Sequence, residues 1–410
     1  MPETCNNPTP TKSRTQSTNG EHQMTLPDRE KAGRSQAYWA NASSRRGFLK
    51  QAGAAALTAG AAGLLPHAAR ASTAMTLMCW EGYNDPRIID PFMAENDVSL
   101  AVDLIVDSPA GFAKLASGAS RDVDVVASDV PWVQRMGPAQ LCEYIDAEEF
   151  ADVFKTYYPQ FQPPFKPLLD GDKITGIPTR WGWVGPTINT DTSSVDDWHS
   201  YDACFDSKNK DKIGIMDWGD WPIMPMALHA GVNPYEELDA NALNEVRLVL
   251  RALFKNSRAL FSDLSLSQKA LLDGSVLTLV GTGTYTTSGL RLAGYKNIKS
   301  VVPEAVNGFK KGIIWIEGTA IVKDPVDLDL AKKLVRRIAS KEAGYVLSVT
   351  ELTCNPSPNT EVESLYSPEE RDVLQLDYVD TVWKNSVLHN VSPNIDDLLA
   401  IWQEELAAAN

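Results

Sequence analysis

MTLMCWEGYNDPRIIDPFMAENDVSLAVDLIVD, residues 75–107, reads as strand, helix and strand in succession. MTLMCW (75–80) is a short apolar run. PRIIDPFMAEN (86–96) has helical character, interrupted at Pro91, whose ring removes a backbone donor. SLAVDLIVD (99–107) alternates apolar and polar residues as a strand does. A helical AGFAKLASG (110–118) follows, then DVDVVASD (122–129), a buried strand ending in polar residues. Short strands alternating with helices predict an α/β fold. The second half repeats the style, with strands expected at KIGIMD (212–217) and SVLTLVGTG (275–283). GIIWIEGTAIVKD (312–324) reads as two strand-like pieces about Gly318. Helices are expected at 222–231, 241–256, 328–340 and 395–410; in the second of these, Leu243, Val246, Leu250 and Phe254 line one face.

The segment before residue 75 has a different character. SSRRGFLK (43–50) places Arg45 and Arg46 ahead of an Ala- and Gly-rich apolar run that ends in Ala69-Arg70-Ala71. Basic pair, apolar run and small-x-small cleavage site stand in the order of an export signal, and the pair resembles a twin-arginine signal. Residues 1–71 are therefore expected to be leader and signal peptide, with export through a twin-arginine translocase into the periplasm. Cleavage after Ala71 leaves 339 of 410 residues, enough for two domains with cores of their own. No later apolar run is long enough to span a bilayer.

The chain carries 38 basic and 53 acidic residues, and loss of the leader takes its net charge from −15 to −20. That balance argues against nucleic acid as a partner, because phosphate contacts need a basic face. Cys79, Cys142, Cys204 and Cys354 have no CxxC spacing and read as buried thiols. Catalytic signatures are missing. His199, His229 and His389 are far apart, and there is no HExxH, nucleophile elbow or Walker loop. GTGTYT (281–286) lacks the third glycine of a dinucleotide loop, and Tyr157-Tyr158 beside prolines reads as packing. No enzyme activity, metal or cofactor is expected.

What recurs is an acid beside an aromatic at the predicted strand ends. Trp80, Glu81 and Tyr83 follow the first strand, and Asp129 and Trp132 follow the third. Asp217 and Asp220 are each followed by a tryptophan in MDWGDW, and Trp315 and Glu317 lie two apart in IIWIEG. Trp181 and Trp183 stand in PTRWGW. Open α/β sheets bind ligands beyond the C-terminal ends of their strands. Carboxylates that accept charge-assisted hydrogen bonds, set among ring faces that accept a cation, suit an alkyl ammonium. Each cluster also has a structural role open to it: tryptophan as core, and Asp220 as the cap of the helix behind Pro222.

At this point the chain resembles the spermidine/putrescine-binding family of periplasmic solute-binding proteins, components of ABC importers. WEGY (80–83), DVVASDVPWVQRM (124–136), GIPTRWGWVGPTINTD (176–191), IIWIEGTAIVKD (313–324) and CNPSPN (354–359) carry the resemblance in order. It implies a two-lobed, type II-like periplasmic binding fold with a ligand cleft between the lobes. The lobes would comprise residues 72–183 plus 312–354, and 184–311 plus 355–410, with crossings near 182–186, 305–312 and 353–358. It also implies a monomer that carries a small cationic solute, a polyamine, to inner-membrane permease subunits. Trp80 and Tyr83 would line the first lobe, Asp217 and Asp220 would hold one amine, and Trp315 and Glu317 would grip chain and amine. Departures from the family pattern are Val130-Pro131, Glu317 in place of a shorter acid, Asn355 in place of a tyrosine, and no aromatic at Val280-Gly281, although Tyr285 is close by. Arg180 adds a cation beside Trp181, which suits a zwitterionic amine, an aminophosphonate or another small solute instead. An unrecognised secreted enzyme and an iron or anion binder in the same fold remain as other classes. Asp217→Asn and Glu317→Gln are expected to weaken cation binding by at least ~1.5 kcal/mol. The empty protein should be as stable or more so, since facing carboxylates are costly to bury.

Overall fold

A computed structural model describes residues 73–105, 107–351 and 354–409. The residues expected to form the export signal, Arg45, Arg46, Ala69 and Ala71, lie outside the described residues. Among the described residues the strands are β1 (Thr73–Cys79), β2 (Val98–Leu104), β3 (Val125–Asp129), β4 (Cys142–Glu143), β5 (Leu169–Asp170), β6 (Lys173–Ile174), β7 (Ile177–Val184), β8 (Thr187–Asn189), β9 (Ile213–Met216), β10 (Ser257–Phe261), β11 (Thr278–Val280), β12 (Ile298–Ser300), β13 (Gly312–Val322) and β14 (Ser386–Leu388). They build two mixed sheets and a small β5–β6 hairpin.

The first sheet runs β14-β13-β3-β1-β2, with β4 and β7 also paired to β13. β1 lies between β2 and β3 and parallel to both, and β13 lies antiparallel to β3 and β7. The second sheet runs β10-β9-β11-β8-β12. Each sheet has its own apolar core: Leu77, Val125, Phe161 and Leu334 belong to one, and Ile188, Ile215, Leu250 and Trp402 to the other. This is the expected two-lobed α/β architecture.

The amphipathic helices pack as their patterns dictate. In Leu328–Ile338 the apolar positions Ala331, Leu334, Val335 and Ile338 are buried. In Ala240–Asn256 the buried face is Val246, Leu250, Leu253 and Phe254, and Phe254 packs edge-on against Trp402 at 4.7 Å between ring centroids. Pro91 does not interrupt its helix, which runs unbroken over Pro86–Asn96. A proline has no N–H for the carbonyl four residues back. That carbonyl, of Arg87, accepts instead from Arg337 Nη2 at 2.7 Å, and the next, of Ile88, accepts from Arg337 Nε at 3.0 Å. A distant arginine thus repairs the ladder.

Two expectations about the strands change. Residues 312–322 form one strand, and Gly318 marks only a register shift against β7. The chain passes between sheets after β7 and between β12 and β13. After residue 354 the chain touches both sheets: Arg291 of the helix Thr284–Leu292 donates to the carbonyls of Asp372 and Val373, then β14 pairs with β13, and Ile395–Ala409 packs on the helix Ala240–Asn256. The division into lobes stands as a proposal. Between the sheets, Gly182 is indispensable: a Cβ there would stand 2.1 Å from Thr284 Oγ1 and 2.6 Å from the Trp315 ring. Only glycine lets β7, β13 and the helix Thr284–Leu292 meet this closely.

Candidate functional site

The strand register sets the centre of the site. β7 and β13 pair antiparallel with Arg180 directly opposite Glu317, so both side chains leave the same face. The guanidinium meets the carboxylate in a fork: Arg180 Nη2 donates to Glu317 Oε1 at 2.5 Å and Nε donates to Oε2 at 3.0 Å. Tyr83 Oη donates to Glu317 Oε2 at 2.8 Å and lies 2.9 Å from Thr179 Oγ1. The two charged side chains are only 8% and 6% exposed, which makes this a buried ion pair. Burial works against the Arg180 charge, but the Glu317 carboxylate outweighs it and raises the guanidinium pKa above its ordinary value. Burial and then Glu317 push the Tyr83 hydroxyl well up.

β3 brings a second acid to the same place, since Asp129 is the register partner of Glu317 across β3 and β13. Ser108 Oγ donates to Asp129 Oδ2 at 2.7 Å. Burial, then the negative charge of Glu317, raises the Asp129 pKa to about 6, against opposing effects of Ser108, His389 and Arg180. A third acid comes from the second sheet. Asp220 Oδ2 lies 3.6 Å from His389 Nε2, a nitrogen that is buried and has no hydrogen-bond partner among the described residues. Asp220 does not cap the helix Ile223–His229 with its side chain; its backbone carbonyl takes the N–H groups of Ile223 and Met224. The carboxylate is thus left available.

Ring contacts join these groups. The Arg180 guanidinium lies 5.5 Å from the Tyr83 ring and 5.9 Å from the Trp315 ring. Trp315 meets Tyr285 at 6.2 Å, and Tyr285 meets Trp221 at 5.6 Å and Trp218 at 5.8 Å. Trp221 stacks on His389 at 4.9 Å, and Tyr235 meets that imidazole edge-on at 5.9 Å. Polar tips fix two of the rings: Tyr285 Oη donates to the Gly281 carbonyl at 2.6 Å, and Trp218 Nε1 to that of Ser262 at 3.1 Å. The indole nitrogens of Trp80 and Trp315 are buried without a partner among the described residues. Buried donors ordinarily find a partner, so Trp315 Nε1, beside Arg180 and Tyr285, is a position where a solute oxygen would be welcome. A pocket of about 220 Å³, lined in part by Val130, Gln134 and Lys166, reaches His389.

The residues singled out from the sequence divide accordingly. Tyr83, Asp129, Trp315 and Glu317 come together around Arg180, and Asp220 is linked to them only through His389, Trp221 and Tyr285. Trp80 is half-buried after β1, whereas Glu81 and Asp217 are exposed. Trp132 packs against Phe112 at 5.6 Å and under the Arg135 guanidinium, on the helix Val130–Met136. Trp181, next to Arg180 on β7, leaves the opposite face and is enclosed by Phe161, Trp183 and Trp383. Tyr157 and Tyr158 also part: the first donates to the Pro178 carbonyl at 2.7 Å, the second bonds to Glu363. Sequence reasoning passed over His389, Tyr235 and Ser108. His389 follows a strand of three residues, too short to show a period, and only the acid–aromatic rule applied to Trp221 and Tyr285 could have added those rings.

Against known proteins, residues 87–368 match the bacterial extracellular solute-binding protein family, and the chain belongs to it. No curated protein matches. The spermidine/putrescine ABC transporter substrate-binding protein PotD from Streptococcus pneumoniae has TM-score 0.66 and 18% identity, over 82% of this chain and 100% of that one. The Tp0655 (TpPotD) lipoprotein of Treponema pallidum has TM-score 0.63 and 18% identity, over 81% and 99%. The Atu4243-GABA receptor has TM-score 0.60 and 16% identity, over 82% and 98%. At such identities the likeness is one of fold.

Proposed function

We propose that this member of the bacterial extracellular solute-binding family is the substrate-binding component of an ABC importer. It takes up a small cationic amine between its two lobes and delivers it to permease subunits of the inner membrane. It acts in the periplasm as a monomer, after export by the twin-arginine translocase and removal of residues 1–71. Solute is bound and released, with no bond made or broken. The observation that carries this reading is the pair Asp129 and Asp220. Asp129 stands beside Glu317 in the first sheet and Asp220 beside His389, both within electrostatic reach of Tyr285, and no lysine or arginine of the described residues forms an ion pair with either.

The mechanism follows from desolvation. Closing a cleft over two carboxylates without a countercharge is expensive, and an ammonium removes that penalty. The cation therefore binds the closed form better and shifts the population towards it. Ring faces add a cation–π contribution of roughly 0.5–2 kcal/mol each. Relatives named for spermidine and putrescine and for GABA are consistent with an amine-bearing solute. A carboxylate-bearing solute has less support, because Glu317 already occupies the fork of Arg180.

A thermal-shift screen tests the proposal, since a solute that binds only the folded state raises its melting temperature. The panel contains putrescine, spermidine, cadaverine, 4-aminobutyrate, an aminophosphonate, betaine, ferric citrate and plain amino acids. A shift confined to amines is the expected result. Shifts confined to anions or ferric citrate would overturn the amine reading and leave the fold as it is.

A further inference from the structure

Taking the amine reading as its premise, we infer that Arg180 is a built-in cation filling one of two ammonium positions in the cleft. The solute then carries a single ammonium group, held at the Asp129 and Asp220 end, and an uncharged tail that lies against Trp315 and Tyr285.

An ammonium position has three requirements: a carboxylate, further polar partners that hold the carboxylate in place, and ring faces. Glu317, Tyr83 and Trp315 meet all three, and they are the residues around Arg180. The guanidinium is seated in that position, forked onto Glu317 at 2.5 and 3.0 Å with the Tyr83 and Trp315 rings 5.5 and 5.9 Å away. A second ammonium arriving there would have to expel Arg180. The expelled guanidinium, rooted in the all-buried strand β7, would lose its countercharge in a site that is nearly closed to water. Removing one partner from such a pair costs more than one new charge-assisted hydrogen bond returns.

The other end is open by the same criteria. Tyr285 lies within electrostatic reach of both acids, and His389 acts on Asp129 while standing 3.6 Å from Asp220. Between the two ends Tyr285, whose hydroxyl is taken up by Gly281, and Trp315 present ring faces, and Trp315 Nε1 has no partner among the described residues, which suits methylenes and at most a neutral acceptor. A solute with charge at both ends would place one of them against the closed pair. A terminal ammonium meets Arg180, and a terminal carboxylate meets Glu317.

The test is calorimetric titration of the full chain at neutral pH with three solutes of one length: butylamine, putrescine and 4-aminobutyrate. Butylamine should bind at least tenfold more tightly than either of the others. Arg180→Met frees Glu317 and should invert the order of the two amines, with putrescine also raising the melting temperature of the variant. Putrescine or 4-aminobutyrate binding the parent as tightly as butylamine would overturn the inference while leaving the amine reading standing. Binding of none of the three would overturn both. If Arg180→Met fails to fold, the ranking in the parent decides alone, and Arg180→Lys, which keeps the internal cation, should preserve that ranking.

Discussion

Glu317→Gln gives the clearest test of the site's energetics. The variant keeps the shape of the side chain and removes its charge, leaving Arg180 buried with an amide in place of a carboxylate. If the pair were exposed, its loss would cost about 0–1 kcal/mol. The side chains are 8% and 6% exposed, and the pair is forked and braced by Tyr83, so the buried case applies. Breaking a buried pair by removing one partner costs about 3–5 kcal/mol. For domains of 150–250 residues each kcal/mol moves the melting temperature by roughly 2–4 °C, so a fall of about 10 °C is expected. The sequence alone implies the opposite, that an empty site relieved of one carboxylate is no less stable. Tryptophan fluorescence during thermal and urea unfolding measures the change. Arg180→Met with Glu317→Leu should recover most of the loss, because replacing both partners by apolar groups of similar volume is close to neutral. A Glu317→Gln variant within 1 kcal/mol of the parent, or a double variant as unstable as the single, would refute the reasoning.

The raised Asp129 pKa means the folded state holds that proton more tightly than the unfolded chain, whose carboxyl titrates near 3.8. Stability of the empty protein should therefore fall as pH rises from about 4 to about 6, by roughly 3 kcal/mol, and Asp129→Asn should abolish that slope. Affinity for a cation should run the other way, weakening about tenfold between pH 7 and pH 5, as titration at each pH would show. Asp220→Asn should weaken amine binding by at least ~1.5 kcal/mol, while exposed Asp217→Asn should change it by less than ~0.5 kcal/mol in the same calorimeter. Trp181→Ala should destabilise the fold by about 3–5 kcal/mol in urea and leave affinity within twofold. Cys79, Cys142, Cys204 and Cys354 are buried and unbridged, and burial pushes Cys79, Cys142 and Cys354 up to about 12. All four thiols should stay unreactive to a thiol reagent at pH 8 until the protein unfolds.

Much of the architecture is legible in the chain because it depends on local pattern. The strand MTLMCW, the helix 241–256 and the placing of acids and aromatics at strand ends follow from period, propensity and turn chemistry. The order of motifs from WEGY to CNPSPN is likewise a property of the sequence, and it led to the correct family. Pairing is not a local property. Alternation along PTRWGW says that Arg180 and Trp181 face opposite ways, but not which of them faces the cleft. That was settled by the register of β7 on β13, which set Arg180 opposite Glu317, 137 residues away, and sent Trp181 into the core. The same register turned Glu317 from an open anion into half of an ion pair. Asp217 and Asp220 look alike in MDWGDW, yet among the described residues only the Asp220 side chain reaches a charged partner, His389, and that residue follows a three-residue strand added to the far edge of the other sheet. Side-chain chemistry was written in the sequence. Which charges were left over once the chain had paired its own depended on long-range strand register, and that requires the whole fold.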